Sequence, residues 1–376
     1  MKGVNGFKCM MDEPVFVTKS FLPPRAEFDA LIDEVWASNQ LTNNGVLSER
    51  FAKEVCTYLG IDKNRFVFVG NGTLALQLAL HQLIDDVAGA EIITTPFTYV
   101  ATTSAILWEK YTPVFVDIRQ DNFTIDPAKI EAAITPKTKA ILAVHVFGNP
   151  CDVEAIELIA KKHNLKVIYD AAHAFGVLYK GKSILEYGDA STLSFHATKL
   201  MHTIEGGAVY TKSAGDAKVI ELAKRFGHNG DTHLQLGINA KANEFQAAMG
   251  LANLKYIKDN IVKRKNLAAM YDSLLSEKIT RPTVRQDVEY NYAYYPVVLK
   301  DESQTERVLE TLGKKNIFPR RYFYPSLNQL DYLPVGVKAC PVSEDISMRI
   351  ICLPFYESIT EEIIKGVCEV INETTR

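Results

Sequence analysis

Along the chain, short unbroken apolar runs alternate with longer stretches in which apolar positions recur every three or four residues. The runs fall at residues 66–69, 91–95, 114–117, 140–147, 166–170, 191–195 and 207–211, and β-branched side chains are frequent in them. A strand with one wet face alternates apolar and polar residues, so unbroken runs suit strands covered on both faces. Between the runs, residues 74–80 and 153–163 carry helical spacing. In the second of these Val153, Ile156, Ile159 and Ala160 fall on one helix face. Strands alternating with helices predict an α/β domain built on a mostly parallel sheet.

The texture changes after about residue 250. Residues 253–275 read as one long amphipathic helix. A β-type run at 290–299 and a helical stretch at 303–314 follow. Next come the loop Arg320-Arg321-Tyr322-Phe323-Tyr324-Pro325 and a closing helix at 361–372. The pattern predicts an N-terminal segment (1–50), a large domain (51–252), and a linking helix with a smaller α/β domain (253–376). The 376 residues are enough for this arrangement with a well-buried core.

Charge changes the picture by what it removes. Lys and Arg total 42 against 45 Asp and Glu, so no basic excess points to nucleic acid. A phosphate-bearing ligand must then be held by local structure. Residues 1–11 lack the apolar core of a signal peptide, and no apolar run reaches the ~18 residues of a membrane helix. The six cysteines, Cys9, Cys56, Cys151, Cys340, Cys352 and Cys368, are scattered without a C-x-x-C pair. Reduced thiols and a cytoplasmic location are expected, with no metal site.

Four local features carry candidate chemistry. Asn71-Gly72-Thr73 sits between the run at 66–69 and a helix, and the free N–H groups of a helix N-terminus there favour an anion. Thr73 adds a hydroxyl, although a threonine near a helix cap needs no ligand. Thr95-Pro96-Phe97-Thr98-Tyr99 places an aromatic ring after a strand, where it can stack on a flat ligand or simply pack. Asp170 ends the run 166–170, and ligands of open α/β sheets bind at the carboxyl ends of strands. A carboxylate there can keep a pyridinium nitrogen protonated, or merely cap the next helix. His173 follows three residues on, free to face the same site or to pack as an ordinary histidine. Lys199, in Ser194-Phe195-His196-Ala197-Thr198-Lys199, follows another apolar strand. Read alone it is a surface lysine. As a nucleophile it would need a lowered pKa, and Ser194 and Thr198 place hydroxyls beside it.

The order of these parts matters more than any one of them. Phosphate turn, aromatic loop, strand-end Asp and a Lys after a later strand follow the order of the large domain of aspartate-aminotransferase-like enzymes. The chain further resembles the DegT/DnrJ/EryC1/StrS family of nucleotide-sugar aminotransferases, which use pyridoxal 5′-phosphate (PLP). The resemblance runs from about Pro14 to Pro354. It rests on Leu41-Thr42-Asn43-Asn44-Gly45, Gly70-Asn71-Gly72-Thr73-Leu74-Ala75-Leu76 and the stretch 95–102. His145-Val146-Phe147-Gly148, Asp170-Ala171-Ala172-His173-Ala174-Phe175-Gly176 and the stretch 194–207 complete it.

This resemblance implies a mostly parallel seven-stranded sheet flanked by helices, with a smaller C-terminal α/β domain. It implies that Lys199 carries the cofactor and shuttles protons, and that Asp170 pairs with the pyridine nitrogen. His173 would sit near the 3′-oxygen, where many relatives carry Gln. Gly72, Thr73 and Ser194 would hold the phosphate, and Tyr99 would stack on the ring. A homodimer with sites at the subunit interface follows, with Asn239 the best match for an asparagine given to the partner's phosphate site and Asn229 the weaker one. Asn43, Lys241, Arg320 and Tyr322 fall to the substrate. Lys241 replaces a frequent Arg, and the Arg320 loop is more basic and aromatic than the family's usual His-Tyr pattern.

Lysine at position 199, where dehydratase relatives carry His, implies amino transfer. The lead-in to Lys199 and the following Glu205-Gly206-Gly207 look most like members that aminate C4 of a 4-keto-6-deoxy sugar with L-glutamate as donor. dTDP is the expected nucleotide. The alternatives are a C3 aminotransferase and an enzyme of UDP- or GDP-sugars. A lyase or desulfurase would need a catalytic cysteine near the site, and only Cys151 adjoins the motifs. A non-catalytic regulator would have no need of Asp170, His173 and Lys199 together.

Overall fold

The structure, a computed structural model, describes residues 13–84, 89–333 and 337–375. Cys9 lies outside them. Seven strands form one sheet: β1 (Phe66–Val69), β2 (Glu91–Thr94), β3 (Thr112–Phe115), β4 (Thr138–Val144), β5 (Lys166–Asp170), β6 (Ala190–Ser194) and β7 (Gly207–Thr211). Their order is β1-β7-β6-β5-β4-β2-β3. Only β7 runs antiparallel, to both of its neighbours. This is the mostly parallel seven-stranded α/β architecture that the apolar runs predict.

Why those runs are unbroken is visible in β4. Ile141 and Ala143 join a core with Phe51, Tyr169 and Phe195 on one face. Ala140 and Leu142 join another with Leu76, Leu80 and Ile168 on the opposite face. Both faces are dry, so no polar alternation is needed. The edge strand β3 tolerates Pro113, which a central strand would not. Expected and observed bounds differ in places. The run at 140–147 stops pairing at Val144, because the chain turns through His145–Gly148 with Phe147 at φ 57°. The run at 114–117 starts and ends two residues earlier, as Thr112–Phe115. Asp117 is drawn away instead, its carboxylate accepting from the N–H groups of Val342 and Ser343 at 3.0 and 2.9 Å.

The helix Val153–His163 lies where the periodicity puts it, with Val153, Ile156 and Ala160 buried. The expected single helix at 253–275 is two helices, Glu244–Leu254 and Ile257–Leu274. The break places Lys255 and Tyr256 on one carboxylate, that of Glu27. The Lys255 ammonium lies 2.7 Å away and the Tyr256 hydroxyl donates to the other oxygen. The β-type run at 290–299 pairs only over Pro296–Val298, antiparallel to Ile350–Cys352. Asn291 donates instead to the carbonyls of His173 and Phe175, and Arg264 takes the Ala293 carbonyl. Those contacts tie residues 291–294 to the loop after β5. The helices Glu302–Lys314 and Glu361–Thr374 pack with Pro296–Val298 and Ile350–Cys352 around Tyr295, Val297, Ile351 and Val367. Among the described residues no helix is long and apolar enough to cross a membrane, and Cys56, Cys151, Cys340, Cys352 and Cys368 are free and buried.

Candidate active site

A cavity of about 520 Å³ opens at the carboxyl ends of β5 and β6. Gly72, Thr73, Tyr99, Asp170, His173, Ser194, Lys199, Arg320 and Tyr322 all line it. Nine residues chosen from sequence, spread over some 250 positions, thus share one wall. A second cavity of about 660 Å³, at the opposite ends of the strands beside Lys166 and Asp189, contains none of them.

The turn Asn71-Gly72 builds the anion end. Asn71 caps the helix Gly72–Leu83, its side-chain oxygen accepting from Leu74 N–H at 2.9 Å and its carbonyl from Ala75 N–H at 3.1 Å. The N–H groups of Gly72 and Thr73 come before the first helical bond and are left for a ligand. Close packing requires glycine here. A Cβ on Gly72 would stand 2.9 Å from Ser194 Cβ, and one on Gly207 would stand 2.5 Å from the Asn71 carbonyl carbon.

Asp170 forms the floor. Both of its oxygens are engaged: Thr102 Oγ1 donates to Oδ2 at 2.8 Å and Ala172 N–H to Oδ1 at 3.1 Å. Thr98 and Thr102 hydroxyls lie 3.0 Å apart, extending the chain. Burial pushes the Asp170 carboxyl above its ordinary range, opposed by the Thr102 and Ala172 bonds and by the charge of Lys199. An ionised carboxylate here therefore calls for a cation beside it.

His173 is buried and held neutral, first by loss of water and then by the charge of Lys199. Its Nδ1 accepts from Phe147 N–H at 3.2 Å, which leaves the proton on Nε2 as a donor. Lys199 is partly buried. Desolvation lowers its pKa, and the Asp170 carboxylate works against that. A more neutral amine is a better nucleophile.

The remaining sequence candidates lie elsewhere. Asn43 is exposed, with φ 63°, ahead of the helix Val46–Leu59. Asn239 is exposed and accepts from Lys241 Nζ at 2.7 Å; Asn229 is exposed on the hairpin Asn229–Thr232. None of Asn43, Asn229, Asn239 and Lys241 lines the cavity of this chain. Conversely, the cavity holds residues that sequence reasoning left unassigned: Thr98, His196, Glu205, Tyr294 and Phe323. Thr102 was passed over as well. Its contact with Asp170 spans 68 positions, and nothing local marks it.

The donor set suits PLP. A buried carboxylate would suit a ring nitrogen, a neutral His173 N–H a ring oxygen, and free helix N–H groups a phosphate. An amine of lowered pKa would suit an aldehyde. No three His, Cys, Asp or Glu side chains among the described residues could jointly hold a metal ion.

Comparison with known proteins gives the same direction. Residues 24–372 match the DegT/DnrJ/EryC1/StrS aminotransferase family. The chain is 39% identical over 373 residues to a dTDP-4-amino-4,6-dideoxy-D-glucose transaminase of Shigella dysenteriae, covering 96% of this chain and 100% of that one. It is 35% identical over 312 residues to a GDP-perosamine synthase of Escherichia coli O157:H7, covering 81% and 84%. A solved structure of DesI in the presence of its TDP-sugar product superposes with a TM-score of 0.92 at 31% identity, over 99% of this chain and 95% of that one.

Proposed function

The chain belongs to the DegT/DnrJ/EryC1/StrS aminotransferase family, whose cofactor is PLP, and on that premise we propose that it aminates C4 of a dTDP-4-keto-6-deoxyhexose, taking the nitrogen from L-glutamate. One observation carries the reading. Lys199, Asp170, His173 and the N-terminus of the helix Gly72–Leu83 meet in a single cavity that also presents Arg320 and Tyr322. The near-complete match in length to a dTDP-4-amino-4,6-dideoxy-D-glucose transaminase supports the choice of C4 and dTDP.

When bound, PLP supplies an electron-withdrawing ring and a carbon that carries the amino group from donor to acceptor. The chain's own residues do the rest. Lys199 Nζ would hold the cofactor covalently; as a free amine it would take the proton from the donor's α-carbon and later deliver one to C4 of the sugar. Asp170 keeps the ring nitrogen protonated. The bonds from Thr102 Oγ1 and Ala172 N–H favour the ionised carboxylate, opposing the effect of burial. His173 Nε2–H would be the donor to the ring oxygen. Gly72, Thr73 and Ser194 hold the phosphate, and Tyr99, 59% exposed, is free to stack. Arg320 and Tyr322 line the same cavity and would serve the sugar nucleotide, since a guanidinium suits a diphosphate.

Asn239, Lys241 and Asn43 fit a homodimer in which each subunit finishes its partner's site. Their exposure supports this, as do the exposed Phe226, Leu234, Leu236 and Ile238 beside Asn239.

A Lys199→Ala protein is expected to lose the visible absorbance of covalently held cofactor and all turnover. Retained transamination in that variant would sink the assignment. Light scattering should report twice the chain mass, and a panel of dTDP-, UDP- and GDP-keto sugars tests the nucleotide.

A further inference from the structure

Tyr294 is a buried residue of the cavity wall that the proposed mechanism does not use. Its hydroxyl lies 3.4 Å from Lys199 Nζ, within reach of the amine's N–H. The ring packs 4.8 Å from that of His173 and meets Phe147 and Tyr322 at 5.8 and 5.9 Å. It is 6% exposed. The backbone that delivers it is clamped. Asn291 donates to the His173 and Phe175 carbonyls at 2.8 and 3.0 Å, and the buried Arg264 donates to the Ala293 carbonyl at 2.9 Å while paired with Glu357. This firmly fixed phenol, 95 positions from Lys199 in sequence, has its hydroxyl within hydrogen-bond distance of the Lys199 amine.

We propose that Tyr294 is a positioning residue: its hydroxyl holds the free amine of Lys199 in place whenever that amine is not bonded to the cofactor. This rests on the reading of Lys199 given above. Burial keeps the phenol protonated well above its ordinary range, so it stays a neutral partner at working pH. Asp170, His173, Tyr99 and Tyr322 also bear on Lys199 electrostatically, and they are unchanged by substitution at 294.

The test is Tyr294→Phe in the full chain, which removes one oxygen and keeps the ring packing. In cofactor-free protein, the pH dependence of Lys199 acylation, read by mass spectrometry, reports the amine's pKa. Losing a hydrogen bond to the ammonium form lowers that midpoint by about one unit. In the loaded enzyme kcat falls roughly ten-fold, with KM for the amino donor changed less than about three-fold. An unmoved midpoint with unchanged kcat overturns the proposal, whatever happens to thermal stability. Should the phenylalanine variant not fold, fluorotyrosine placed at 294 keeps shape and hydroxyl but makes the phenol more acidic. The midpoint then moves if the bond exists and stays if it does not. Failure of the Lys199 assignment is separately visible, as visible absorbance that survives Lys199→Ala.

Discussion

Replacing Thr102 by valine removes one hydroxyl, and with it the bonds to Asp170 and to the Thr98 hydroxyl. The side chain is fully buried, its shape is kept, and the lost atom is the 2.8 Å donor to Asp170 Oδ2. A hydrogen bond to a charged group contributes about 1.5–3 kcal/mol, which corresponds to roughly one to two pKa units. Burial already holds Asp170 above the usual carboxylate range, and the Thr102 bond is the largest influence opposing it. Without that bond the folded-state pKa rises further. The sign of the pH effect follows. Stability linked to the protonated carboxyl is fully present below the unfolded value of about 3.9 and is lost as pH rises through the folded value. The valine variant, with the higher folded value, has lost more of it by pH 7. Urea unfolding of the cofactor-free full chain should therefore show a penalty about 1–2 kcal/mol larger at pH 7 than near pH 4, where only neutral bonds to Asp170 and Thr98 are missing. PLP affinity, read by equilibrium titration of the visible band, should fall roughly ten-fold, because a less readily ionised Asp170 is a poorer partner for the ring nitrogen. A penalty that is the same at both pH values, or below about 0.5 kcal/mol at pH 7, would refute this reasoning.

Other outcomes follow from contacts already described. Gly207→Ala drives a Cβ to 2.5 Å from the Asn71 backbone; thermal unfolding should show a loss of about 1–3 kcal/mol, with faster release of cofactor phosphate contacts seen as weaker PLP retention. Arg264→Met leaves the Glu357 carboxylate buried and unpaired, since both side chains are under a tenth exposed. Denaturant titration should show a cost of about 3–5 kcal/mol, and the double variant with Glu357→Leu should recover a large part of it. Arg320→Ala should leave the visible band of the loaded enzyme intact while raising KM for the sugar nucleotide about ten-fold or more, because one charge-assisted contact is lost.

The sheet was legible because both its faces are dry. Strands such as Lys166–Asp170 therefore appear as unbroken apolar runs, and Asp170 stands out as the polar residue that ends one. The Gly72-Thr73 turn was legible because helix N-termini have a local chemistry. What failed was what depends on distant partners. The two-helix form of residues 244–274 turns on Lys255 and Tyr256 meeting Glu27, over 200 positions away. The β-type run at 290–299 is mostly not strand, because the Ala293 N–H goes to the Asn291 side chain and the Ala293 carbonyl to Arg264. Tyr294 and Thr102 reach Lys199 and Asp170 only through the fold. In sequence they are an aromatic in an aromatic run and a threonine among threonines. Asn43, Asn239 and Lys241 rested on resemblance alone, and within one chain they stay outside the cavity.

The most direct test follows the nitrogen. The purified protein, loaded with PLP, is incubated with ¹⁵N-labelled L-glutamate and a dTDP-4-keto-6-deoxyhexose, and the product is read by NMR. The account predicts ¹⁵N bonded to C4 of the sugar with 2-oxoglutarate formed in equal amount, and no label transferred by the Lys199→Ala protein. Label at C3, or a sugar product that has lost oxygen without gaining nitrogen, would contradict it.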